Sequence, residues 1–504
     1  MGLSVKARFI GRVAAGFAIA LALLPAQPPP DDRLLNFSIV AVNDRGEPVN
    51  DLTRADFQVR DAGKRQPIVM FRHDDAKLQR PAPPGPNEFS NRRQGDSSRV
   101  TVVLFDLMNE RFATSGITAN QIVHDLKNIE GSDDLYLYLL TLEGRLFAVR
   151  GLAGVGSRSG PGEAPWTRQL KSLLDSGLRA VLRTRPADVD VAVRVQLTFN
   201  ALDTIAAQLS AFPGRKNVVW VTDGVPIALG PNRSDTGTFV DFTPQLRHLS
   251  EAFDRAGAAI YPVQQIMLGS PDAMGGGTGI GSRATLDELA GLTGGRPTGS
   301  KDVGAAVRQA MNDARGSYRI GYYAPPGNWD SKFHKLRITC SRKGVKLQSR
   351  SGYYAWPEPP GTRAENAVDT ALGAALDAGE IGLGGSLTAD RPDPGQKQRL
   401  FHLSLRIDTN DVGLAENGDT YNGQLRLAVI SFNEDGRVAH SDIAPLDLHY
   451  TAAQRDAALK EGISIAQNLT LASGVNKLRL IVFDRNSNTV GSLTIPVRVA
   501  APGQ

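Results

Sequence analysis

At 504 residues the chain is too long for one hydrophobic core, so several domains are expected. A hydrophobic share of 41% and a charged share of 22% are ordinary for a folded globular chain and argue against a disordered or fibrous class. The formal net charge of +5 is small for this length, and the Lys and Arg are scattered without a basic run or interleaved aromatics, so no nucleic-acid partner is expected.

The N-terminus reads MGLSVKARFIGRVAAGFAIALALLPAQ. Lys6, Arg8 and Arg12 precede an apolar run, Val13 to Leu24, that is short for a bilayer span and right for a signal-peptide core. Residues 1–26 are therefore expected to be a signal peptide, with an uncleaved anchor as the alternative, and in either case the remainder to be exported as periplasmic, secreted or cell-surface protein. Beyond that segment no membrane association is expected. Cys340 is the only cysteine, so export here involves no intramolecular disulfide, and its alternating surroundings, KLRITCSRKG, read as a half-buried strand.

Residues 34–75 alternate apolar and polar between the turn-like NDRGEP and DAGKRQ, an all-β segment too short to bury a core alone. Residues 76–98, rich in Pro, Gly and Ser, read as a linker. From 99 to 316 strands alternate with helices. Strands are expected at 100–106, 135–142, 146–149, 217–223 and 258–265, and helices at 198–212, 243–257, 284–295 and 302–316. The strands are apolar almost throughout, as in a parallel sheet covered on both faces. SDD at 132–134 reads as turn chemistry. Two glycine-rich stretches, 151–165 and 269–283, offer neither GxGxxG at a strand-to-helix turn nor GxxxxGK, so no phosphate cradle is expected. Residues 317–356 return to β and are expected to pack with 34–75, each covering the other's apolar face; in the Tyr322–Tyr323 and Tyr353–Tyr354 pairs one ring should point in and one out. A second linker spans 357–370, and from 371 to 504 five apolar runs divided by turns such as NEDGR and DRNSN read as an antiparallel sandwich without a recognisable site.

In an open α/β sheet, ligands meet the carboxyl ends of the strands. Two strands here end in Asp: VVLFD at Asp106 and VVWVTD at Asp223. Thr198 opens a predicted helix leading toward the second strand and would add a hydroxyl at the same rim. Two carboxylates and a hydroxyl are hard donors, suited to Mg²⁺ or Mn²⁺. The seven histidines, at 73, 124, 248, 334, 402, 440 and 449, show no HExxH and no close pairing and are expected at the surface or at sheet edges; GSRSG at 156–160 has Arg where a nucleophilic serine would stand.

The stretches VVLFDLMNE, FPGRKNVVWVTDGVP, LAGLTGGR, YRIGYYAP and SGYYA, with the entry VNDRGEPVNDLTRADFQVRDAGKRQPIVMF, together resemble bacterial proteins carrying a von Willebrand factor type A (VWFA) related domain of acidobacterial type, over residues 34–356. The resemblance implies a multidomain α/β plus β fold: a Rossmann-like VWFA domain with a central, mostly parallel sheet flanked by helices, inserted in or flanked by a small β-sandwich, and followed by the C-terminal sandwich. It also implies a metal-ion-dependent adhesion site of the form Asp-x-Ser-x-Ser, Thr, Asp. Asp106 matches the first Asp, Thr198 the Thr (with Thr204 as the alternative) and Asp223 the last Asp, whereas Met108 and Glu110 stand at the serine positions. Asn109 could contribute an amide oxygen. Three carboxylates around a divalent ion would leave a net negative charge, weakening the pull on a partner's acidic residue. The expected metal set is thus Asp106, Asn109, Glu110, Thr198 and Asp223, a degenerate site in a non-catalytic adhesion or protein–protein interaction module whose partner is a protein. The alternatives are a structural envelope protein with a vestigial site, or a hydrolase in which Asp106, Glu110 and Asp223 hold a metal that activates water.

Overall fold

The computed structural model describes residues 34–73, 87–92, 100–109, 135–150, 170–176, 191–212, 214–222, 231–233, 239–264, 279–297, 302–325, 327–357, 377–390, 398–472 and 475–497, with isolated positions at 123–124, 126, 168, 365, 368–369 and 371–372. The expected signal peptide, the turn at 132–134, the glycine-rich stretch 151–165, residues 269–278, Glu110 and Asp223 lie outside the described residues.

In chain order the chain begins with β1 (Leu34–Asn43), β2 (Phe57–Asp61), β3 (Lys64–Gln66) and β4 (Met70–His73), then β5 (Glu88–Ser90). There follow β6 (Val100–Asp106), β7 (Leu135–Leu140), β8 (Leu146–Arg150), α1 (Val191–Leu209), β9 (Lys216–Thr222), β10 (Pro231–Arg233), β11 (Phe239–Asp241), α2 (Thr243–Arg255), β12 (Ala258–Gln264), α3 (Gly279–Thr293) and α4 (Val303–Asp313). The chain then returns to strands in β13 (Ser317–Tyr323), β14 (Phe333–Cys340), β15 (Val345–Gln348) and β16 (Gly352–Tyr354). The last part holds β17 (Leu383–Ala389), β18 (Gln398–Ile407), β19 (Ala415–Asn417), β20 (Thr420–Asn433), β21 (Val438–Thr451), α5 (Ala452–Glu461), β22 (Ile463–Ala472), β23 (Val475–Asp484) and β24 (Thr489–Pro496). The result is a β-rich α/β protein of several sheets, most of them antiparallel.

The exception to antiparallel pairing is the five-stranded sheet β12-β9-β6-β7-β8, in which β12, β9, β6 and β7 run parallel and β8 is an antiparallel edge. Strand side chains alternate between faces, so Val100, Val102 and Leu104 of β6 share one core with α1, α2 and α3, while Val103 and Phe105 share the opposite core with α4. Each fully buried aliphatic or aromatic side chain here contributes about 1.5–3 kcal/mol by leaving water.

The segments before and after this layer interleave. One sheet runs β15-β1-β13-β4 and a second β16-β14-β2-β3, with a shared core of Phe37, Ile39, Val59, Tyr318, Ile320, Tyr322 and Leu336. Tyr322 and Tyr353 are buried, whereas Tyr323 and Tyr354 are half-buried. The C-terminal part packs β22-β18-β17-β5 against β19-β20-β23-β24, with β21 pairing along β20.

Four local expectations need correction. α1 begins at Val191, seven residues before the predicted start, so Thr198 lies inside it rather than at its head; the run VAVRV is rich in β-branched residues, which are stiff in helices and hide the helix start, and Val195 anchors it in the core shared with β6 while Val193 is 49% exposed. α3 begins at Gly279, within a stretch read only as glycine-rich. Both segments assigned as linkers by composition also carry structure. Residues 88–90 form β5, paired to β17, and Val368 is buried with Ala371 against Ala428, Ile430, Phe432 and Ile481. The prolines and glycines of those stretches break any periodicity and mask the few residues that dock.

Candidate functional site

The carboxyl end of β6 carries Asp106, on the same face of the sheet as Val102 and Leu104 and therefore toward α1. β9 lies alongside in parallel register, Leu104 opposite Trp220, so Trp220 and Thr222 fall on that same face beside the carboxylate. Asp106 is wholly buried and fully engaged. Its Oδ2 accepts from Trp220 Nε1 at 3.1 Å, Thr222 Oγ1 at 3.0 Å and Asn109 Nδ2 at 2.8 Å, and its Oδ1 accepts from the Asn109 backbone N–H at 3.1 Å. Burial lifts the Asp106 carboxyl above its ordinary 3.8, and the donors of Asn109, Thr222 and Trp220 pull the other way.

α1 supplies the other wall. Thr198 donates its hydroxyl proton to the Arg194 carbonyl one turn back, at 2.8 Å, which leaves an oxygen lone pair free to accept from Asn109 Nδ2 at 2.7 Å. The Arg194 guanidinium, half-buried, donates through Nη2 to Asn109 Oδ1 at 3.2 Å. Asp106, Asn109 and Thr198 are thus joined in one buried circuit, clasped from the rim by Arg194. The orientation of the Asn109 amide follows from its neighbours: reversed, it would set oxygen against Asp106 and N–H against the guanidinium.

Of the five residues expected around a metal, the structure brings together these three; Glu110 and Asp223 lie outside the described residues. Thr204, the alternative to Thr198, is exposed and bonds only back to the Asn200 carbonyl at 2.8 Å. Met108 is buried in the apolar core against α1. The described residues do not fit a divalent ion. Asn109 turns its N–H₂, not its oxygen, toward Asp106 and Thr198, and among the described residues no group of three or more His, Cys, Asp or Glu is placed to hold a metal. Trp220, Thr222 and Arg194 were not anticipated from sequence, although strand alternation and the one-turn spacing from Thr198 would have pointed to them.

A second polar cluster was also missed. Asp61, buried at the end of β2, accepts from Tyr322 Oη and Tyr353 Oη, each at 2.9 Å, and from Asn328 Nδ2 at 2.8 Å; its Oδ1 faces His334 Nδ1 at 3.2 Å. His334 Nε2 faces Asp330 Oδ1 at 3.1 Å. Contrary to the surface or edge position expected of it, His334 is buried. It shares the inward face of FHKLRITC with Leu336, and period-2 alternation alone would have placed it there. The cluster fastens β2, β13, β14 and β16 to one carboxylate, and burial raises both tyrosine hydroxyls above their ordinary 10.0.

No family model matches the chain, and no curated protein matches it. Among solved structures, the crystal structure of a pilus adhesin, SpaC from Lactobacillus rhamnosus GG, is similar over 89% of this chain and 58% of that one, at 10% sequence identity and a TM-score of 0.28. The chain thus spans less than two thirds of the length of that structure. Among the described residues no helix is long and apolar enough to cross a membrane.

Proposed function

We propose that this chain is an exported, non-catalytic interaction module of VWFA type, and that the surface it presents to a protein partner is the rim where β6 meets α1. The observation that carries the reading is the convergence of Asp106, Asn109 and Thr198 in one hydrogen-bonded circuit at the carboxyl end of the central strand. Asp106 and Thr198 are positions that the family resemblance singles out, and Thr198 lies 89 residues from Asn109 in sequence. Val193, 49% exposed, adjoins Arg194 on α1 and offers a solvent-facing position for a probe beside it. Export rests on the basic and apolar N-terminal segment alone.

A photo-cross-linking amino acid placed at Val193 tests the surface in the cells that make the protein, with the exposed Thr204 as control. Adducts to a discrete protein from position 193 and none from 204 are expected. Equal adducts from both, or none from 193 while another face cross-links, would remove this rim from consideration. The second reading, a structural envelope protein with a vestigial site, draws on the satisfied state of Asp106, whose oxygens are occupied within the chain.

A further inference from the structure

The geometry points to a cation-independent form of this site, in which the Asn109 amide takes the position that an ion would need in order to bridge Asp106 and Thr198, and the Arg194 guanidinium supplies the positive charge. The nitrogen sits 2.8 Å from Asp106 Oδ2 and 2.7 Å from Thr198 Oγ1, with one N–H for each. A Mg²⁺ ion would have to approach those same lone pairs to about 2.0–2.1 Å. Neither oxygen has one to spare in that direction. Asp106 Oδ2 already receives Trp220 and Thr222 besides the amide, and the amide N–H takes the Thr198 Oγ1 lone pair turned toward it, the hydroxyl proton pointing the other way to the Arg194 carbonyl.

Turning the amide over to offer its oxygen would break both bonds and set its N–H₂ against Arg194, which now donates to that oxygen at 3.2 Å. An ion entering the circuit would also lie beside the guanidinium, and like charges at such separations repel strongly where water is scarce. Two further details agree. Met108, next to Asn109, is buried in the apolar core and offers only a thioether, a poor ligand for a hard cation. The backbone N–H of Asn109 itself binds Asp106 Oδ1 at 3.1 Å, so the turn after β6 is wound around the carboxylate. The chain therefore carries its own monovalent, permanently charged substitute for a divalent ion. Binding at this rim would accordingly be insensitive to chelators. The inference stands whether or not a partner docks there.

The test uses the full chain. Mn²⁺ binding is followed by electron paramagnetic resonance, and thermal unfolding is recorded with Mg²⁺, with Mn²⁺ and with EDTA. The wild type is expected to show no saturable Mn²⁺ site at millimolar concentration and the same Tm in all three conditions. Asn109→Asp, which replaces the N–H₂ by a second carboxylate, is expected to melt lower in EDTA and to recover with Mn²⁺, with at least a tenfold gain in Mn²⁺ affinity. Should that variant not fold, Asn109→Ala opens the same space without added charge, and a Mn²⁺-dependent rise in Tm is expected there. A saturable Mn²⁺ site in the wild type that Asp106→Asn abolishes would overturn the inference. So would silence toward Mn²⁺ in both opened variants, because the amide would then not be what excludes the ion.

Discussion

His402 shows how a single side chain reports on its strand neighbours. It lies on β18 directly opposite Asn468 of β22, its Nδ1 2.7 Å from Asn468 Oδ1 and its Nε2 3.0 Å from Asp390 Oδ1, just beyond the end of β17. The bond to Asn468 first, and then that to Asp390, raises its pKa above 6.5. A base held more tightly protonated in the folded state stabilises that state fully below the unfolded pKa and ceases to do so as pH rises through the folded one. The stabilisation is thus present below 6.5 and fades above it, toward the raised value. An NMR titration should place the His402 midpoint above 6.5, and Asp390→Asn should lower it; a wild-type midpoint at or below 6.5 would refute the assignment. At this scale the sequence is only partly legible. Asp106 stands out because it closes an apolar strand, but Arg194 and Trp220 are ordinary surface-like and core-like residues until the register of β6, β9 and α1 is known. His334 looked like a surface histidine for a related reason: composition was weighed where alternation should have been.

Elements were more readable where one physical signal dominated. The apolar runs of the five-stranded sheet fall within one or two residues of their expected ends, because in the four parallel strands burial on both faces leaves little room for polar residues. β21 was not anticipated. It is an edge strand with mostly exposed positions and Pro445 in its middle, a residue tolerated there because one side of the strand faces solvent. α5, which follows it, has no fully buried residue; Thr451 and Gln454 cap each other at its start, Gly462 closes the far end at φ 79°, Arg455 lies over the Tyr421 ring and the Leu459 carbonyl accepts from Asn410 Nδ2.

The end of α3 is more demanding. Gly294 adopts φ +78°, and its carbonyl receives Arg215 and Gln348 at 2.8 and 2.9 Å, while a Cβ on Gly295 would stand 1.8 Å from the Ile260 carbonyl oxygen. No small rotation relieves a contact with backbone. Gly295→Ala should therefore cost about 1–3 kcal/mol or more, read as a lower urea midpoint with unchanged slope. An unchanged midpoint would mean that α3 can draw back from β12.

The whole molecule is pinned at several seams. Lys216, fully buried at the start of β9, meets Glu380 at 3.3 Å and the Phe212 carbonyl at 2.8 Å. Arg350 joins Asp254 at 2.8 Å and lies over the Phe37 ring, and Arg72 reaches the Asn410 carbonyl at 3.0 Å. Asn91 donates to the carbonyls of Ala378 and Ile381, and Arg92 pairs with Asp408 and Asp411, so the edge strand β5 is fastened to the C-terminal sandwich by the residues that follow it as well as by β17. Removing one partner of a buried charge pair is costly, since the other charge stays behind. A chain ended after residue 357 takes Glu380, Asp408 and Asp411 away from Lys216 and Arg92 and leaves β5 without β17. That fragment should melt lower than the full chain and bind a hydrophobic dye. Equal melting temperatures would show that the seams carry little energy.

The placement of β5 also sets an order of events. A ribosome delivers Ser90 long before Leu383, whose carbonyl accepts from the Ser90 hydroxyl across a sequence separation of 293 residues. Likewise β1 emerges well ahead of its neighbours β13 and β15. The two β layers therefore cannot close behind the growing chain, since one waits for β13 to β16 and the other takes in β5, whereas the five-stranded sheet draws both of its cores from residues 100–313 alone and can form before either.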